Sequence, residues 1–75
     1  MNKNETFETR AYGRTELAQM YMPNLSPNRA WRRLQEWIAM CPGLQDRLAQ
    51  FGYNGSQRIW TPRQVEMIVE ALGEP

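Results

Sequence analysis

Twice in this chain a hydroxyl-bearing residue is followed at once by proline, as Ser26-Pro27 and Thr61-Pro62, and each pair stands directly before an amphipathic run. Ser and Thr favour the N-cap because the side-chain oxygen can accept an amide of the first helical turn, and proline at the next position gives up an N–H that has no partner there. The two pairs therefore mark two helix starts. Pro23 and Pro42 mark stops, because proline cannot continue a helix and biases the residue before it away from helical backbone angles. Thr15 can cap an earlier helix, with Glu16 placed favourably against the helix dipole. Leu44, Leu48 and Phe51, at i, i+4 and i+7, fit a short helix closed by Gly52 just past its end. The spacing thus predicts four helices, over 16–22, 27–40, 43–51 and 62–72.

The second of these carries the clearest pattern. At 100° per residue, Ala30, Leu34, Trp37, Ile38 and Cys41 share one arc, Arg29, Arg32, Arg33 and Glu36 lie opposite, and Trp31 stands at the border. In the last helix Val65, Ile68, Val69 and Leu72 form the apolar stripe and Met67 projects away from it. Between helices, Asn54-Gly55 is turn chemistry with extended residues after it, which predicts a small hairpin or wing. Extended segments are expected near 7–12 and 57–60. Residues 1–6 are polar and unpatterned and are expected to be a disordered tail, leaving 7–75 as one domain. The fold class is mainly α with a small β wing, winged helix-turn-helix-like.

Composition narrows the function. Three Trp, three Tyr and two Phe can fill a core that a chain this short could not otherwise build, since each enclosed aromatic buries roughly 150–250 Å². A single cysteine and no histidine exclude an intrachain disulfide and leave the usual zinc-ligand set and His-based acid–base chemistry without their residues. Cys41, on the apolar arc, is expected to be a buried structural thiol. The carboxylates are scattered, and no phosphate-cradling glycine loop or nucleophile–base pair can be assembled, so neither enzymatic activity nor a cofactor is expected. The first residues lack an apolar signal-like run and no stretch approaches a membrane span, so the expectation is a cytoplasmic protein without a membrane or metal partner.

Net charge is only +1, yet eight of the nine basic residues are Arg. Any basic surface must therefore be local. Ser26–Ile38 carries three arginines against one glutamate, whereas 39–75 carries three against four carboxylates. In a helix-turn-helix the second helix lies in the major groove, where Asn can read adenine and Arg can read guanine or hold phosphate. Asn28, Arg29, Arg32 and Arg33 are the candidates there, with Gln57 and Arg58 on the wing, which commonly reaches a phosphate. The competing readings are an ion-pair face in which Glu36 neutralises Arg32 or Arg33, and an Arg58 that stacks on Trp60 or pairs with Glu66. Trp31, Trp37, Tyr53 and Trp60 could stack on single-stranded bases, but a chain this small needs its aromatics for the core.

Two resemblances rest on particular residues. Tyr12-Gly13-Arg14-Thr15-Glu16-Leu17-Ala18, Tyr21-Met22-Pro23-Asn24-Leu25-Ser26-Pro27 with Ala30-Trp31-Arg32-Arg33-Leu34, and Arg58-Ile59-Trp60-Thr61-Pro62-Arg63-Gln64-Val65 resemble a family of short domain-of-unknown-function proteins from gut anaerobic bacteria and their mobile elements. More distantly, Glu16-Leu17-Ala18, Leu25-Ser26-Pro27, Arg58 and Thr61-Pro62 occur in the order seen in the winged-helix domains of MerR-type regulators and phage excisionases, from which 42–52 departs by an added helix. The second resemblance implies a non-enzymatic regulator or excisionase-like accessory factor that binds double-stranded DNA. The alternative is a protein-interaction module on the same scaffold, as a homodimer or with another protein, displaying Trp31 and Met67.

Overall fold

The structure, a computed structural model, describes residues 7–75, so the tail expected over 1–6 lies outside the described residues. Six elements follow one another: β1 (Tyr12–Gly13), α1 (Arg14–Tyr21), α2 (Pro27–Met40), α3 (Leu44–Ala49), β2 (Ile59–Trp60) and α4 (Pro62–Leu72). The molecule is mainly helical with one two-stranded antiparallel sheet, an arrangement compatible with a winged helix.

The first helix begins two residues earlier than its sequence suggests. Gly13, not Thr15, is its N-cap, and the Glu16 carboxylate accepts the Gly13 amide at 3.0 Å. That amide, and after it the Arg10 guanidinium, hold the Glu16 carboxyl below its usual value. The extended segment expected near 7–12 contracts to β1, and Gly13 belongs to both the strand and the helix start. The strand's partner is distant in sequence. Tyr12 stands opposite Trp60 and Gly13 opposite Ile59, so β2 pairs with the N-terminal segment and not with a neighbour across Asn54-Gly55. The Asn54 side chain closes that turn locally by accepting the Ser56 amide at 2.7 Å.

At α2 the Ser26 backbone is extended and Pro27 takes the first helical position, but the serine hydroxyl makes no cap hydrogen bond. Its carbonyl accepts from Ala30 at 2.8 Å. Thr61 behaves as the pattern predicts: its hydroxyl accepts the Gln64 amide at 3.2 Å, and the Gln64 side-chain oxygen accepts the Thr61 amide at 3.1 Å. The expected helix over 43–51 is shorter, Leu44–Ala49, yet its exit is the one predicted. Tyr53 donates to the Leu48 carbonyl at 3.0 Å and Gly52 to Ala49 at 3.1 Å, with Gly52 at φ +93°. This pair of bonds requires a residue with positive φ between them, which glycine adopts without steric cost.

The core centres on Trp60, which is fully enclosed. Tyr53 stacks on it at 5.5 Å and Trp31 meets it edge-on at 5.6 Å. Leu17, Ala18, Ala30, Leu34, Ile38, Leu48, Val65 and Ile68 are also fully buried around it. The buried arc of α2 is rotated toward Trp31 by roughly 30° from the arc of its aliphatic residues, leaving Trp37 and Cys41 half-buried at its edge. The fully buried thiol expected at Cys41 is therefore not found, because Cys41 lies past the helix end, at the C-cap. In α4 the rotation is larger, roughly 70°, and brings Gln64 and Met67 inside.

Candidate nucleic-acid interface

The segment between α1 and α2 is pinned at both ends. Met22 donates to the Ala18 carbonyl at 3.0 Å, Leu25 donates to Met22 at 3.2 Å, and the Gln19 side-chain amide donates to the Leu25 carbonyl at 3.1 Å. The start of α2 is thus held on α1, with which it makes the most extensive packing in the molecule. Since α2 buries Ala30, Trp31, Leu34 and Ile38, helical geometry turns Arg29, Arg32, Arg33 and Glu36 outward together. These four, with Leu25 from the preceding turn, line a depression of about 190 Å³. Asn28 is exposed on the flank of the same face.

Five of the eight arginines have partners. Arg10 pairs with Glu8 and Glu16, Arg33 with Glu36 at 3.3 Å, Arg47 with Glu70 at 3.6 Å and Arg63 with Glu66 at 3.5 Å. The Arg14 guanidinium lies 5.4 Å from the centre of the Trp31 ring and donates to the Gln57 carbonyl at 3.3 Å. Arg29, Arg32 and Arg58 are exposed and make no ion pair among the described residues. Of the two pairings open to Glu36 one forms: it engages Arg33, through Nε, and not Arg32. For Arg58 neither alternative forms among the described residues: Glu66 pairs with Arg63, and the guanidiniums that lie over aromatic rings are those of Arg10, Arg14 and Arg63.

Two of the six nucleic-acid candidates sit in the loop before β2, and they differ. The Arg58 carbonyl accepts from Arg14 at 2.9 Å, which anchors its backbone while the side chain stays exposed. Gln57 is half-buried and its amide is committed inside the chain: it accepts from Asn54 at 3.1 Å and donates to the Ile59 carbonyl at 2.9 Å and to Gln64 at 3.0 Å. The loop also leans on α2, since a Cβ on Gly55 would lie 3.4 Å from the Gln35 side-chain amide. Burial of Tyr53, beside Gln35, raises its phenol above the usual value.

Both candidate protein contacts are corrected. Trp31 and Met67 are each only 8% exposed and belong to the core. Trp31 is drawn in by the Trp60 edge and covered by Arg14; Met67 follows the rotation that buries Gln64. Among the described residues the exposed large apolar side chains are Met20, Met40, Phe51 and Ile59; of these helical periodicity singles out Phe51 alone, and for the apolar stripe, but α3 ends at Ala49 and leaves it outside. Leu25 and Arg14 are parts of this region without a sequence signal: one lies in the turn, and the other's role depends on a contact with the distant Gln57.

No helix among the described residues is long and apolar enough to cross a membrane, and no three of their His, Cys, Asp or Glu side chains gather as metal ligands would. Comparison with curated proteins and with solved structures finds no match. A family model does match, over residues 8–75, nearly the whole of the described domain. The chain belongs to the family described as domain of unknown function (DUF4248).

Proposed function

We propose that this is a non-enzymatic protein that binds double-stranded DNA through the exposed face of α2, with Arg58 as a second point of contact. The observation that carries the reading is the partition of the arginines: Arg29, Arg32 and Arg58 are the ones left without a carboxylate or aromatic partner among the described residues. Unpaired exposed guanidiniums are weakly hydrated for cations and readily exchange water for phosphate oxygens or guanine edges, and they bear no desolvated partner to give up. Asn28, at the start of α2, is in place for base contact, while the Gln57 amide has no free group and serves to hold the loop. A module with so small a net charge binds weakly by itself, so a dimer or a second protein on the same DNA completes the reading.

The test is a fluorescence titration with mixed-sequence duplex DNA at low salt, comparing the native chain with an Arg29→Ala/Arg32→Ala/Arg33→Ala variant. Binding at up to roughly tens of micromolar, the ordinary non-specific range, and its loss in the variant are expected. No binding, or binding unaffected by the triple substitution, overturns the proposal.

A further inference from the structure

We infer that the depression on α2 is a seat for a single phosphate group, and that Glu36 acts there as a counter-charge that the phosphate displaces from Arg33. Arg29, Arg32, Arg33 and Glu36 line one cleft of about 190 Å³ with Leu25 as its apolar wall. Three positive charges stand against one negative, in a chain whose total is only +1, so this cleft concentrates positive charge that the rest of the molecule offsets. A concave arrangement of guanidiniums suits a tetrahedral oxyanion better than a flat base edge, because the N–H donors converge from several sides instead of lying in one plane. The Arg33–Glu36 contact runs through Arg33 Nε at 3.3 Å, with both groups more than half exposed. An exposed pair of this kind is weak enough for an incoming phosphate anion to break.

The inference rests on the DNA reading only for the source of the phosphate, which on a duplex is a backbone phosphodiester; a free phosphate ion has the same recognition chemistry. In that assignment the cleft fixes the position of the protein on DNA and base contact falls to Asn28 at the flank.

The two sources separate in a titration followed through the arginine Nε–H resonances at constant ionic strength. Inorganic phosphate should shift Arg29, Arg32 and Arg33 saturably while Arg47 and Arg63 stay in place. Glu36→Gln should tighten phosphate binding by about two- to fivefold, the worth of an exposed pair, and Arg32→Ala should weaken it by about tenfold. Phosphate should also displace bound duplex DNA. Equal shifts at Arg47 and Arg63, or no response to Glu36→Gln, overturns the seat. DNA binding that phosphate neither perturbs nor competes with overturns the seat and leaves the DNA reading standing. Saturable phosphate binding by a chain that ignores DNA overturns the DNA reading and supports the seat.

Discussion

Gln64 shows how one side chain can hold several segments together. It is only 2% exposed, and its amide donates to the Phe51 carbonyl at 2.9 Å while accepting from Thr61 and Gln57. Polar groups buried in this way must stay paired, since an orphaned one costs about 1–3 kcal/mol. Gln64→Leu preserves volume but strands the Phe51 carbonyl and two donors; a loss of about 2–3 kcal/mol is expected, lowering Tm by about 10–20 °C for a domain of this size, as thermal unfolding by circular dichroism would record. Tyr21 makes the corresponding tie at the other end of the molecule. Its hydroxyl donates to the Gly73 carbonyl, its ring meets Trp37 edge-on at 6.1 Å, and burial first, then the Glu74 charge, push the phenol up to about 12. Between pH 10 and 12 the unfolded chain gives up this proton while the folded chain keeps it, so the stability it contributes is complete below pH 10 and is lost as pH rises toward 12. Tyr21→Phe should flatten that part of the stability–pH curve, leaving the share due to Tyr53; an unchanged slope would show that Tyr21 does not couple folding to its proton.

Among the elements, the two proline-led helices look alike in sequence and differ in their caps. The Thr61 hydroxyl accepts an amide at 3.2 Å, whereas Ser26 makes no side-chain cap bond. Thr61→Ala should therefore cost about 1 kcal/mol, the usual worth of a cap, and Ser26→Ala less than about 0.5 kcal/mol, as an ordinary exposed substitution does; urea unfolding of the two variants would measure the contrast, and equal losses would contradict it. Helix existence was legible here because proline, glycine and cap residues act locally, as the Gly52 exit from α3 illustrates. Helix rotation was less so. Counting aliphatic residues centres the buried face of α2 on Leu34 and that of α4 on Leu72, but the core of this protein is organised by Trp60 and Gln64. A tryptophan at a border position and a glutamine in a capping box carry no hydropathy signal for the inside. That is why Trp31 and Met67 read as exposed when they are buried.

At the scale of the whole molecule, the pairing of Tyr12 with Trp60 joins the start of the described domain to the segment that leads into α4, and nothing local in either segment specifies its partner. The same closure bears on function. It holds the Arg58 backbone to Arg14, and Arg14 in turn covers Trp31 on α2, so the two candidate contact points belong to one framework. The arginine face was legible because it needs only the helical period, and so was the local Arg33–Glu36 pair; the engagement of Arg14 was not, because Trp31 and Gln57 are brought to it only by folding. If the seat on α2 and Arg58 each meet one phosphate, the plot of log affinity against log salt should have a slope near about −1.8, at about −0.9 per phosphate on duplex DNA. Arg58→Ala, and the Arg29→Ala/Arg32→Ala/Arg33→Ala variant, should each reduce the slope by about 0.9 and weaken binding alike on unrelated sequences. Arg47→Ala should leave it unchanged, because Arg47 pairs with Glu70 and takes no part in the proposed face. A slope that falls equally for Arg47→Ala would mean that the duplex responds to the overall charge of the protein and not to the face of α2.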